Sequence, residues 1–256
     1  MNSSTLRTFA AKTLAATLVV GLGSTGCSSG GGGGGVATDG GTTVIDDSGH
    51  VIAVDGGAVV DTAPSTGTDV NPYGVPYPTT GLGTTARKGS VAGSVFANLK
   101  FTGYPNADSS KGLQPVSMAD YFDPEMRKYK IIVIAGTGNW CQYCKKEVQE
   151  VVSKYSEFTT EKVGFINAVL ESSSRAPATK DDLDAWITNY KITFPTFLDP
   201  GGEQLNVYGK SFPVNFILDA RSMEILAIVL GSPSEGTLTR AKVYTKWVDT
   251  HPATKF

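Results

Sequence analysis

Apolar positions along the chain fall into two regimes. Up to about residue 88 they stand singly or in short groups among Gly, Thr, Asp, Ser and Pro, apart from one apolar run at 14–22. Beyond that point they recur with the periods of packed strands and helices. The apolar run 131–135 predicts a strand buried on both faces, where polar/apolar alternation is lost, and Gly136 and Gly138 then allow a tight turn. Val148, Val151, Val152 and Tyr155 recur at i, i+3, i+4 and i+7, one face of a helix. A second strand is predicted at 162–170. A second helix follows, capped by Asp181 and Asp182, with Leu183, Trp186, Ile187 and Tyr190 on one face. Segments 214–218 and 223–230 suit an antiparallel hairpin, and a last helix at about 235–249 buries Leu238, Ala241, Tyr244, Trp247 and Val248. Upstream, 95–101 and 113–121 suit another hairpin, with its turn at Gly103-Tyr-Pro-Asn. Strand–helix–strand–helix alternation implies right-handed parallel crossovers.

Composition sharpens the division. Residues 1–27 read as a targeting segment: Arg7 and Lys12 give a positive start, and 14–22 is apolar but too short to span a bilayer. Residues 28–88, opened by six glycines, have the composition of a flexible tether with a reach on the order of 40 Å. Within it, 44–45 and 50–54 can pair as a short hairpin, and Asn71-Pro-Tyr-Gly-Val-Pro-Tyr-Pro78 reads as extended. Residues 89–256 are long enough for one domain with a sizeable core. Lys and Arg number 22 against 24 Asp and Glu, so there is no basic field to attract nucleic acid.

The chemistry sits at Trp140-Cys141-Gln-Tyr-Cys144, between the predicted central strand and its helix. Two cysteines on a first helical turn meet unpartnered N–H groups and the positive end of the macrodipole, which lower the pKa of Cys141 below the free-thiol value of about 8.5. Cys144, three residues on, can attack a mixed disulfide formed at Cys141 and release the partner. A purely structural Cys141–Cys144 disulfide is the bland alternative, although so short a loop gains little from closure. Zinc would need two further ligands, and only Cys27, His50 and His251 remain, so neither metal nor cofactor is expected.

The Trp-Cys-x-x-Cys after an apolar strand resembles the thioredoxin superfamily, and in particular its membrane-anchored TlpA/ResA-like thiol–disulfide oxidoreductases, over roughly residues 89–250. Phe194-Pro195-Thr-Phe-Leu-Asp199-Pro200-Gly-Gly is similar to that family's Phe-Pro…Asp-x-x-Gly segment. Phe212-Pro213-Val-Asn-Phe-Ile-Leu-Asp219 resembles its cis-proline strand. The resemblance implies an α/β thioredoxin-like sandwich, a central mixed β-sheet with helices on both faces. It implies that Cys141 and Cys144 are the redox-active pair, that Pro213 is a cis-proline facing them, and that Phe212 and Trp140 meet the substrate. Glu147, in Cys-x-x-Cys-Lys-Lys-Glu, would move protons beside the pair. Ser24-Thr-Gly-Cys27 resembles a bacterial lipobox, which would make Cys27 the lipidated mature N-terminus of a protein facing the periplasm, sorted to the outer membrane.

The departures are Gln142 and Tyr143, where Pro or an acidic residue is usual, and the absence of a Leu three before Cys27. A copper chaperone of the Sco type needs Cys-x-x-x-Cys and a nearby His. A peroxiredoxin needs Pro-x-x-x-Thr/Ser-x-x-Cys, where this chain has Ile134 and Gly138. Glu147 reads equally as a solvated helix residue, Trp140 as a packing residue, and Pro213 as a trans edge proline. The expectation is an envelope lipoprotein that exchanges dithiol and disulfide with disulfide-containing proteins and draws on a membrane redox partner. The alternative is a redox-inert binding protein that keeps the fold as a scaffold.

Overall fold

The structure is a computed structural model that describes residues 67–85, 87–205, 211–231 and 235–256, together with two short upstream strands. The chain divides into two units, Met1–Val59 and Val60–Phe256. In the first, β1 (Thr43–Ile45) and β2 (Val51–Ala53) pair antiparallel, the hairpin expected there. The expectations for 1–27, including Cys27 and its flanking residues, lie outside the described residues.

The second unit holds β3 (Lys100–Tyr104), β4 (Gln114–Ser117), β5 (Ile131–Gly138), α1 (Gln142–Thr160), β6 (Val163–Glu171), α2 (Lys180–Tyr190), β7 (Thr196–Leu198), β8 (Val214–Asp219), β9 (Ile225–Leu230) and α3 (Thr237–Thr250). They form one seven-stranded mixed sheet in the order β4-β3-β7-β6-β5-β8-β9. Strands β5, β6 and β7 are parallel; on either side the inner hairpin strand, β3 or β8, runs against them, and the outer one, β4 or β9, runs with them. The fold is thioredoxin-like α/β. Its central strand β5 is buried along its whole length, as its unbroken apolar run requires.

The sheet divides the core in two. Ile131, Val133, Ala135, Phe165, Val169 and Ile217 face one cluster with α1, α2 and α3. Ile132, Ile134, Ile166, Phe197, Phe216 and Leu218 face the other, covered by Tyr77, Phe96, Phe101, Met118, Tyr121 and Phe122. Among the described residues the three α-helices share one face, and the helical cover of the other is a single short 3-10 turn, Met118–Tyr121. The reason is topological. Both crossovers step the same way across the sheet, β5 to β6 to β7, and connections of one hand then put both helices on one side.

Two further expectations change. Gly103 sits inside β3, opposite Gln114 and Phe197, where a Cβ would come within 2.5 Å of the Phe197 Cα, and the expected turn falls one residue later, with the Ala107 N–H donating to the Tyr104 carbonyl at 3.1 Å. The α2 cap is Thr179, in a capping box with Asp182, rather than an aspartate. Residues 69–82, read as tether, pack on this unit. The buried Asn71 donates to the Phe122 carbonyl at 2.9 Å, and the buried Tyr77 hydroxyl donates to the Phe96 carbonyl at 2.7 Å.

Candidate active site

Strand β5 ends in an irregular register against β6 at Thr137 and Gly138, and the chain turns at once into α1. The backbone N–H of Asn139 donates to the Glu171 carbonyl, and that of Cys141 to the Gly138 carbonyl. This places Cys141 as the N-cap residue and Cys144 in the first turn. Cys141 Sγ itself accepts the N–H of Cys144 at 3.1 Å, so the sulfur serves as the cap acceptor that a helix start requires. Cys141 and Cys144 are disulfide-bonded, with their Cα atoms 5.3 Å apart. Both are buried, at 2% and 1% exposure, so access to the sulfurs is narrow.

Two aromatic groups stand beside the pair. Trp140 and Phe212 meet edge to face at 5.6 Å, and both pack on the cluster that contains the cysteines. The Trp140 indole N–H donates to Glu171 Oε2 at 2.6 Å, and the Arg175 guanidinium lies 3.9 Å above its ring. Trp140 is thus held on several sides, consistent with both a packing role and a platform role. The Phe212–Pro213 peptide bond is cis, as the sequence resemblance implied. Tyr143, between the cysteines, is 62% exposed.

Glu147 settles on the buried side of α1, 3% exposed, one turn below Cys144. The solvated reading of this residue is therefore excluded. Asn215 Nδ2 on β8 donates to Glu147 Oε1 at 2.9 Å, and the Thr237 hydroxyl at the start of α3 donates to the same oxygen at 2.5 Å. Burial drives the Glu147 carboxyl from 4.5 to about 7. The Thr237 and Asn215 hydrogen bonds pull against that rise, and the like charge of Glu150 adds to it.

Sequence reasoning singled out Cys141, Cys144, Trp140, Glu147, Phe212 and Pro213: the two cysteines are bonded, Trp140 meets Phe212, which is joined to Pro213 by the cis bond, and Glu147 lies one turn beyond Cys144. Sequence reasoning missed Asn215, Thr237, Glu171 and Arg175. Asn215 left a trace: an amide between Val214 and Phe216 in an otherwise apolar strand. Thr237 left none. Among the described residues, no three His, Cys, Asp or Glu side chains gather closely enough to hold a metal ion, and no helix is long and apolar enough to cross a membrane.

Comparison with known proteins gives a consistent picture. The family model described as AhpC/TSA family matches residues 98–228. The thiol-disulfide oxidoreductase ResA of Bacillus subtilis is 24% identical over 102 residues, 40% of this chain and 53% of the relative. ResA of Bacillus thuringiensis is 29% identical over 83 residues, 32% of this chain and 44% of the relative. The chain thus spans about half of the length of the curated relatives it matches. Among solved structures, an uncharacterised conserved protein from Geobacillus kaustophilus superposes with a TM-score of 0.50 at 17% identity, covering 65% of this chain and 87% of that one, a likeness of fold alone.

Proposed function

The chain belongs to the AhpC/TSA family, and from that premise we propose that it is a thiol–disulfide oxidoreductase acting on disulfide-containing proteins through Cys141 and Cys144. The observation that carries this reading is the disulfide at the start of α1, at the end of the central strand, with a buried carboxylic acid one turn below it. The disulfide-bonded pair is the state left after two electrons have been handed on. A dithiol donor reduces it by exchange, itself becoming a disulfide and leaving the Cys141 thiolate at the cap and Cys144 as a thiol.

In the forward step, Cys141 Sγ attacks one sulfur of the substrate disulfide. An S–S bond forms between protein and substrate, and the substrate's other sulfur leaves as a thiolate. Cys144 must then lose its proton to attack Cys141 Sγ, which closes the Cys141–Cys144 bond and expels the second substrate thiolate. Glu147, buried nearby with a carboxyl near 7, is matched to accept that proton at neutral pH. Cis-Pro213 and its neighbour Phe212 border the pair and orient the incoming chain, and Trp140 offers it a flat apolar surface. Peroxide chemistry is disfavoured by Ile134 and Gly138, the positions where a peroxidatic loop needs Pro and Thr or Ser.

In this reading the protein works outside the cytoplasm, held at the envelope through a lipid on Cys27 and facing the periplasm from the outer membrane. A membrane redox partner supplies electrons. Cys144→Ser tests the chemistry: a working enzyme accumulates mixed disulfides on Cys141 that dithiothreitol releases. If the variant traps no protein, and the wild-type pair cannot be cycled against glutathione, the redox-inert scaffold is the correct reading instead.

A further inference from the structure

Two neutral donors from two different elements converge on a single oxygen of the buried acid. Thr237 Oγ1 and Asn215 Nδ2 both donate to Glu147 Oε1, at 2.5 and 2.9 Å, and among the described residues no donor reaches Oε2. An oxygen that already accepts two hydrogen bonds is a poor place for a proton. The proton of the neutral acid therefore belongs on Oε2, and the two donors favour the carboxylate that is left when it departs. Asn215 Oδ1 is buried without a hydrogen-bond partner among the described residues, so the bond to Glu147 is the one side-chain hydrogen bond that orients this amide there.

The position of Thr237 is itself set by α1. Helix α3 begins at Gly236, which supplies no side-chain cap. The missing acceptor comes from Glu150, one turn beyond Glu147, whose Oε2 accepts the Thr237 N–H at 3.3 Å. Glu147 and Glu150 thus grip the same residue, one through its hydroxyl and the other through its amide. A Cβ at position 236 would come within 2.5 Å of Glu150 Oε1, so glycine is what allows that approach.

We propose that Thr237 and Asn215 are positioning residues that select the oxygen on which Glu147 carries its proton and set how readily the proton leaves. The inference rests on the oxidoreductase reading for its consequence, because the acid matters only if Cys144 exchanges a proton with it. The charged surroundings are few enough for two neutral groups to matter. On α1 these are Glu150 and the cysteine pair. From β8 and the first turn of α3 the facing groups are Asn215 and Thr237, and no acidic residue lies in that first turn. Arg240, further along α3, is paired with Glu235.

The test reads Glu147 directly. Its carboxylic C=O stretch can be followed by infrared difference spectroscopy on the full chain from about pH 5 to about pH 9, the band being assigned by its loss in Glu147→Gln. Thr237→Val should raise the inflection by about one pH unit, since a bond favouring the ion is gone, and Thr237→Ser should restore it. The plot of the Cys141–Cys144 midpoint potential against pH should break at the same displaced position. If Thr237→Val does not fold, Thr237→Ala against Thr237→Ser asks the same question of the hydroxyl alone. A hydroxyl-free variant that titrates as wild type overturns the proposal. An unchanged redox profile in Glu147→Gln would instead sink the assigned role of the acid and leave the infrared result standing.

Discussion

Glu147 is a glutamate whose meaning changes with its burial. In the unfolded chain its carboxyl titrates at 4.5, and in the folded protein at about 7. Below about pH 4.5 both states hold the proton and the group costs nothing. As pH rises from there to about 7, the unfolded chain gives up its proton first. Stability falls over that window by about 3 kcal/mol in all, and no further loss follows above it. Asp199 acts in the same sense over a lower window. It is buried, accepting the N–H groups of Gln204 and Leu205, and its carboxyl is raised from 3.8 to about 6. The protein should thus be less stable at about pH 8 than at about pH 5, and Glu147→Gln should lose less between those points. Urea unfolding at both pH values checks this, and an identical loss in the variant would mean that Glu147 ionises as freely folded as unfolded. The cysteines were legible because Cys-x-x-Cys is a spacing with few other uses. Glu147 was only half legible, since its burial involves β8 and α3, whose contacting residues are 68 and 90 positions away.

At the scale of elements, periodicity located β5, α1, β6, α2, β8, β9 and α3 with ends displaced by up to three residues, and it missed the three-residue strand β7. What it misjudged were junctions, where competing local signals are short. Both aspartates near the start of α2 were candidate caps, but the helix begins one residue earlier and uses Thr179. Its hydroxyl takes the cap position while Asp182 reaches back to the Thr179 N–H at 2.9 Å. Thr179→Ala should therefore lower unfolding free energy by about 1 kcal/mol while leaving the Cys141–Cys144 potential unchanged, because the loss is confined to a helix end. A change in the potential would show that α2 communicates with the pair, through Asn139, whose side chain donates to the Asp182 carbonyl at 3.2 Å. Helix α3 solves the same problem differently, borrowing Glu150 from its neighbour. Such a cap is invisible in the local sequence because its two halves are 87 residues apart.

For the whole molecule, the boundary between tether and domain is the largest surprise. Gly, Pro and Thr dominate up to Lys88, which reads as flexible linker, yet Tyr77 is buried among Phe122, Phe96 and the rest of the cluster on the face away from α1, α2 and α3. Among the described residues the three α-helices lie on the other face, so this one is covered by irregular chain and one short 3-10 turn. Tyr77→Ala should cost about 3–5 kcal/mol, as for a buried aromatic elsewhere, and lower the melting temperature accordingly. A melting temperature equal to wild type would restore the picture of a free linker to residue 88.

Some of this protein was decided by its sequence alone. The five-residue apolar run 131–135 calls for a central strand, a 3.6-residue apolar period for a helix with one face on the core, and two cysteines three apart at their junction fall at the helix start. These are local rules, satisfied within one element. The tertiary structure alone decided which face receives the helices, what covers the other face, and which polar groups meet Glu147. Those outcomes depend on strand order and on contacts between residues distant in the chain, for which a local pattern carries no signal. The acidity of the site belongs to that second class, because it is the packing of three elements around one carboxyl that removes water from it.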